Sequence, residues 1–116
     1  MSGLGKKGET LACLWLLLHG YKILKRNYHS RFGEIDIIAQ KNGTISFVEV
    51  KARGENTLST PASAVDIYKQ QKIIKTANQY LTYCDNPDGD FCFDVVEILK
   101  VGTRFRIHLI KNAFEI

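Results

Sequence analysis

The sequence predicts a single α/β domain: a mixed five-stranded sheet flanked by helices, in the order αβββαββ. Three observations carry that prediction. Asn42-Gly43 stands between two runs of β-branched residues, the strongest short-range signal for a two-residue type I′ hairpin. Leu11, Leu14, Trp15 and Leu18 recur at the i, i+3, i+4, i+7 spacing of a buried helix stripe. A second helical tract then separates the hairpin from two further apolar strands. With 116 residues the chain suffices for one core and not for two, so 1–116 is read as one domain.

The first helix is expected from Lys6 to about His19, with Gly20 at the C′ position. Tyr21 to Tyr28 reads as a strand with Tyr21 and Ile23 on one face and Lys25 as a third candidate for it. The hairpin strands run from about Gly33 to Gln40 and from Thr44 to Ala52. Arg53-Gly54-Glu55-Asn56-Thr57 is a polar loop, and Ser59-Thr60-Pro61 a helix start, because proline is tolerated in a first turn. The second helix reaches about Tyr83 and is expected to bury Ile67, Ile74, Ala77 and Leu81. Cys84 to Asp90 is punctuated as a loop. Phe91 to Lys100 and Phe105 to Ile110 are strands joined at Val101-Gly102-Thr103.

Composition narrows the class. Apolar residues make up 45% and charged residues 24%, an ordinary globular balance that argues against a disordered chain. The net charge of +4 favours a polyanionic partner. Cys13, Cys84 and Cys92 are odd in number and lack C-x-x-C spacing, as free thiols of a cytosolic protein would be. Leu11 to Leu18 is too short to span a bilayer. Lys6 and Lys7 precede it as in a signal peptide, but Glu9 interrupts the region and His19-Gly20-Tyr21-Lys22 offers no small-residue cleavage site. A buried helix and a cytoplasmic location are expected.

The hairpin also carries chemistry. With Asn42 and Gly43 as the loop, Lys41 pairs with Thr44, and the register continues to set Asp36 opposite Glu49 and Glu34 opposite Lys51. Alternation puts Asp36, Glu49 and Lys51 on one side and Ile35, Ile37, Val48 and Val50 on the other, which reads as core. Like charges facing each other destabilise a ladder, and a divalent cation beside a lysine supplies the counter-charge. The plainer alternatives are an exposed acidic pair neutralised by nearby lysines, and Lys51 as a surface partner of Glu34. Glu9 has two readings: a member of the site, or an acid at a helix start for its favourable dipole interaction. Asp94, between Phe93 and Val95, needs a partner if buried, and a structural hydrogen bond or an arginine is expected there. His19, His29 and His108 share no ligand spacing.

Taken together, Gly8-Glu9, Gly20-Tyr21, Arg26-Asn27, Gly33-Glu34-Ile35-Asp36, Phe47-Val48-Glu49-Val50-Lys51-Ala52-Arg53, Phe93-Asp94-Val95-Val96 and Asn112-Ala113-Phe114 resemble a known family. The chain is similar to the small bacterial YraN proteins of the PD-(D/E)XK restriction-endonuclease-like superfamily, which are themselves similar to archaeal Holliday junction resolvases. The resemblance covers nearly the whole chain. One departure stands out: Ile35 occupies the place before Asp36 where the superfamily's general signature has proline. The resemblance implies a restriction-endonuclease-like core in which Asp36 and Glu49 bind Mg²⁺, or Mn²⁺ in its place, with the backbone carbonyl of Val50 as a third ligand. Coordination would lower the pKa of a water, the nucleophile, while Lys51 orients it or stabilises the transition-state charge. Glu9 would reach the metal directly or through water.

Lys69, Lys72 and Lys75 recur at three-residue spacing on a helix face opposite the apolar stripe. Arg53 follows the Glu49–Lys51 motif, and Lys25, Arg26 and Arg31 lie near the start of the hairpin. An ordinary solvated face is the plain reading of such charges. Their proximity to the acidic motif favours contacts to a nucleic-acid backbone, which position a duplex without reading its sequence. The expected function is a metal-dependent endonuclease acting on branched, flapped or single-stranded DNA, in repair or recombination, with a homodimer cutting paired strands as one arrangement. The rival expectation is a non-catalytic nucleic-acid-binding module on the same fold.

Overall fold

The structure, a computed structural model, describes residues 3–54, 65–84 and 89–114. Its elements are α1 (Gly3–Leu18), β1 (Lys22–His29), β2 (Glu34–Lys41), β3 (Thr44–Gly54), α2 (Ile67–Tyr83), β4 (Phe91–Val101) and β5 (Arg104–Phe114). The strands lie side by side in chain order, and the mixed five-stranded sheet with two helices is as expected. Only β3 and β4 run parallel, with Ile45 beside Phe91 and Gly54 beside Lys100. Parallel neighbours need a crossover rather than a tight turn, and α2 lies on that connection.

Each helix covers one face of the sheet. On the α2 face, Ile73, Ala77, Tyr80 and Leu81 pack with Ile35, Ile38, Phe47, Phe93 and Val95. On the α1 face, Ala12, Cys13 and Leu16 pack with Tyr21, Ile37, Ala39, Val48, Val96 and Ile98. A sheet covered on both sides explains why β3 and β4 read as near-continuous apolar runs. Burying a side chain such as Leu16 or Phe47, each at most 1% exposed, contributes roughly 1.5–3 kcal/mol.

The sheet-facing stripe of α1 is not the one its leucine spacing predicts. Leu14 and Leu18 are exposed, Leu18 at 84%, while Glu9, Ala12, Cys13 and Leu16 are buried. The helix is apolar nearly all round, so small residues rather than leucines decide which side can lie against the sheet. Gly8 sits so close to β3 that an added Cβ would meet the Ala52 Cβ at 3.4 Å. The helix ends as predicted in a two-bond cap, Tyr21 N–H donating to the Leu16 carbonyl and Gly20 N–H to that of Leu17.

α2 likewise begins later than predicted. Its N-cap is Asp66, whose carboxylate accepts from the Lys69 amide at 2.8 Å. Ser59-Thr60-Pro61 and the polar stretch Glu55–Thr57 lie outside the described residues. A helix starting at Ile67 places Ile67 itself in solvent, whereas Ile73, Thr76, Ala77, Tyr80 and Leu81 are buried. In β1 a register shift between Ile23 and Lys25 ends the alternation, so Lys25 points to solvent rather than joining Tyr21 and Ile23. β5 extends to Phe114, beyond the expected Ile110. The cysteines are free thiols. Among the described residues no helix is long and apolar enough to cross a membrane.

Candidate active site

The hairpin register follows the Asn42-Gly43 prediction from Lys41↔Thr44 as far as Ile37↔Val48. There the regular ladder stops. Ile35 belongs to the α2-side core and Ile37 to the α1-side core, although two residues apart on one strand. A regular strand would put both on the same face, as the sequence reading had them, so the backbone turns over at Asp36. Asn27 lies opposite, between the Arg26↔Ile37 and Tyr28↔Ile35 pairs, and takes a φ of 51°. Asparagine tolerates this left-handed conformation better than most side chains.

The kink changes how Asp36 is used. Rather than standing across a ladder from Glu49, its carboxylate accepts a hydrogen bond from the Val50 amide at 2.8 Å. Its second partner is the Glu49 carboxyl. Glu49 follows Ile45 and Phe47 on the α2 face of β3 and is 6% exposed. Burial pushes its pKa up to about 8, helped by the hydrogen bond and the charge of Asp36, against the opposing pull of Lys69 and Lys51.

Two ammonium groups complete the cluster. Lys51, next on the same face of β3, has its pKa lowered by burial and by the charge of Lys69. Lys69 comes from the first turn of α2, its Nζ 3.2 Å from Glu49 Oε1. Burial opposes its charge, yet Glu49 holds its pKa above the usual lysine value. Asp36, Glu49 and Lys51 thus come together, though not through the cross-strand pairing that the turn predicts, and Lys69 is a fourth member. Spacing along the helix placed Lys69 on the solvent face with Lys72 and Lys75. The crossover instead turns it toward the sheet, while Lys72 and Lys75 remain exposed.

The remaining candidates are more dispersed. Glu9 is buried on α1, well past the first turn, so it is not an acid placed at a helix start. Its Oε1 accepts from Arg26 Nε at 3.2 Å and from Asn27 Nδ2 at 3.0 Å, which ties it to the residue opposite Asp36. Arg53 is paired with Glu97 on β4. Val50 contributes its amide to Asp36. Arg31 lies over the Phe32 ring at 5.0 Å, with Lys75 at 5.7 Å. Among the described residues no three His, Cys, Asp or Glu side chains group as metal ligands. The acidic part of the site is the pair Asp36 and Glu49.

Fold and site together define a small α/β protein that gathers two carboxyls and two lysines where the central hairpin's ladder breaks off. Comparison with known sequences takes this further: the sequence model of the uncharacterised protein family UPF0102 matches residues 8–98. A UPF0102 protein of Persephonella marina is 46% identical over 112 residues, covering 97% of this chain and 93% of that protein. Those of Lachnoclostridium phytofermentans and Alkaliphilus oremlandii are 47% and 42% identical, each over 96% of this chain. The chain belongs to the UPF0102 family, which agrees with its resemblance to the YraN proteins.

Proposed function

We propose that this protein is a Mg²⁺- or Mn²⁺-dependent endonuclease of the restriction-endonuclease-like superfamily, hydrolysing phosphodiester bonds in branched, flapped or single-stranded DNA. One observation carries the reading: the buried Glu49 carboxyl shares a hydrogen bond with Asp36 while Lys51 and Lys69 crowd the same spot. The donor set fits a hard divalent cation, since two carboxyls from adjacent strands supply oxygen ligands and leave room for water and phosphate. Glu49 carries the tension such an ion relieves, because a cation can take the place of the proton that burial and Asp36 hold on it.

Asp36 and Glu49 would hold the cation, with the Val50 carbonyl as a further candidate. When bound, it would acidify a water molecule and polarise the scissile phosphate. The chain's own residues do the rest. The Val50 amide fixes the Asp36 carboxylate at the kink. Lys51 offers an ammonium to charge developing on the phosphate, an interaction strengthened by its partial burial. Lys69, 3.2 Å from Glu49, can turn to a phosphate oxygen once a cation has taken its place beside that carboxyl. Glu9 acts as a positioning residue, fixing Asn27 opposite Asp36.

One observation favours the rival, a non-catalytic DNA-binding module: the Lys69–Glu49 ion pair already balances one carboxylate from within the chain. A cleavage screen of the purified protein over junction, flap, single-stranded and duplex DNA, with Mg²⁺ or Mn²⁺, separates the two. Metal-dependent cutting that chelator abolishes supports the enzyme. A preparation that binds these DNAs and cuts none of them, with either metal, supports the module.

A further inference from the structure

Just before Asp36 the chain passes through Ser30-Arg31-Phe32-Gly33, a tip fastened on several sides. Ser30 N–H donates to the Gly33 carbonyl at 2.8 Å, and the Phe32 amide donates to Ser30 Oγ at 3.0 Å. Ser30 Oγ and Thr76 Oγ1 of α2 lie 2.8 Å apart, and the Thr76 hydroxyl donates in turn to the Lys72 carbonyl. Gly33 presses on α2 so closely that a Cβ there would stand 3.1 Å from the Lys72 Cβ. This connection is pinned to α2, and it presents Phe32 with two cations near its ring, Arg31 at 5.0 Å and Lys75 at 5.7 Å from the ring centre.

Phe32 forms one wall of an open groove of about 730 Å³. Tyr83, 77% exposed, forms another, and Asn78, Gln79 and Thr82 supply hydrogen-bonding groups. Among the described residues that line it none is acidic, and Arg31 and Lys75 bring positive charge. Aromatic faces, amides and fixed positive charge are what a nucleobase and its backbone require: a π-face to stack, an edge to pair, a phosphate to neutralise. A base inside a duplex has both faces occupied by its neighbours, so the fit is to an unpaired one. Phe32 precedes Asp36 by four residues, at most about 14 Å of extended chain. That is roughly four nucleotide steps at about 3.4 Å each, so one strand can occupy both places.

We infer that this groove is a subsite for an unpaired base of the DNA strand, which directs cutting to single-stranded arms near a branch. The inference rests on the endonuclease reading and names the substrate feature that reading requires. Its test is binding of the full chain to a DNA flap whose single-stranded arm carries 2-aminopurine, measured in Ca²⁺ so that cutting is not needed. Wild type should quench the 2-aminopurine. Phe32→Ala and Tyr83→Ala should each weaken flap binding about five-fold or more and relieve the quench, with blunt-duplex binding unchanged. Phe32→Trp should restore both. Tyr83 is exposed, so its variant reads the subsite even if Phe32→Ala fails to fold. Unaltered quenching and affinity in Tyr83→Ala and in a folded Phe32→Ala overturn the subsite, as does an equal loss on flap and duplex. Preferential quenching with the same arm as RNA overturns the assignment to DNA. Cleavage is scored separately. Quenching that depends on Phe32 and Tyr83 without cutting in Mg²⁺ supports the subsite and removes the nuclease reading. Cutting that is indifferent to both residues does the reverse.

Discussion

Asp36 and Asp94 occupy matching situations on opposite faces of the sheet, and the molecule treats them differently. Asp36 lies where the β2–β3 ladder ends and Asp94 where the β4–β5 ladder shifts register, and each stands opposite an asparagine in left-handed conformation: Asn27 with φ 51° for Asp36, Asn112 with φ 52° for Asp94. Asp94 is fully buried and fully served. It accepts from the Asn112 amide at 2.8 Å, from Lys111 Nζ at 3.0 Å, and from the Ser46 hydroxyl. Burial works against the Lys111 charge, yet Asp94 holds its pKa above the ordinary lysine value. The Asp36 cluster has two carboxyls sharing a hydrogen bond and two ammoniums pressing on one another. A buried acid matched to its donors stabilises a fold. Acids left to share a proton carry a repulsion that a bound cation would relieve.

The largest expected effect is on catalysis. Asp36→Ala and Glu49→Ala should each abolish metal-dependent DNA cleavage, a loss of at least about a hundred-fold, and Mg²⁺ binding by calorimetry should vanish with it. Lys51→Ala should keep metal and DNA binding but lose about 10²-fold or more in single-turnover rate. Equal cutting by Glu49→Ala and wild type would erase the distinction between the two aspartate sites.

Asp94→Ala should cost stability rather than activity per folded molecule. Removing its carboxylate strands the buried Ser46 hydroxyl and the Asn112 amide, while the half-exposed Lys111 can turn to water, an expected loss of about 2–3 kcal/mol in denaturant unfolding. A loss under about 1 kcal/mol would show that the bulge around Asn112 does not need its acid.

The Glu49 cluster should show itself in the pH dependence of stability. Its folded pKa of about 8 stands above the usual 4.5, so between those values the folded state holds more protons than the unfolded one. Stability in chelator should therefore fall as pH rises from about 5 to 8. The penalty is absent below the unfolded value and complete above the folded one, on the order of 2–4 kcal/mol. Glu49→Gln should flatten that slope and raise the melting temperature at pH 9. Asp36→Asn, which keeps an acceptor for the Val50 amide, should fold and melt no lower than wild type. An unchanged slope in Glu49→Gln would mean the carboxyl is not held protonated.

The smallest effect belongs to the outlying lysines. Lys72 and Lys75 are exposed beside the site, so replacing both with alanine should weaken binding to all DNA sequences alike. The salt slope of log K should become shallower by about two. An unaltered slope would make them ordinary solvated charges.

The fold was readable because its signals are local. The Asn-Gly turn fixed five residue pairs of register, and the αβββαββ order follows from periodicity and turn residues. The buried side of α1 was not readable, since apolar residues on every side of its second half give no phase and Gly8 and Ala12 let the helix approach the sheet. Asp36, Glu49 and Lys51 could be placed together because alternation along a hairpin does so. Lys69 could not, because its place depends on where α2 begins and how the crossover returns. The turnover at Asp36 has a faint trace in Asn27, an asparagine in the middle of a strand.

The single parallel pairing has a consequence for how the molecule assembles. β1–β2, β2–β3 and β4–β5 are neighbours in sequence and can zip locally, whereas β3 meets β4 only after a long loop has closed around α2. Non-local closure is the slow step in such topologies. The β2–β3 hairpin, carrying both carboxyls, should acquire amide protection in pulse-labelled exchange before β4 does. During that interval the two acids face water without Lys69, whose arrival with α2 accompanies completion of the sheet.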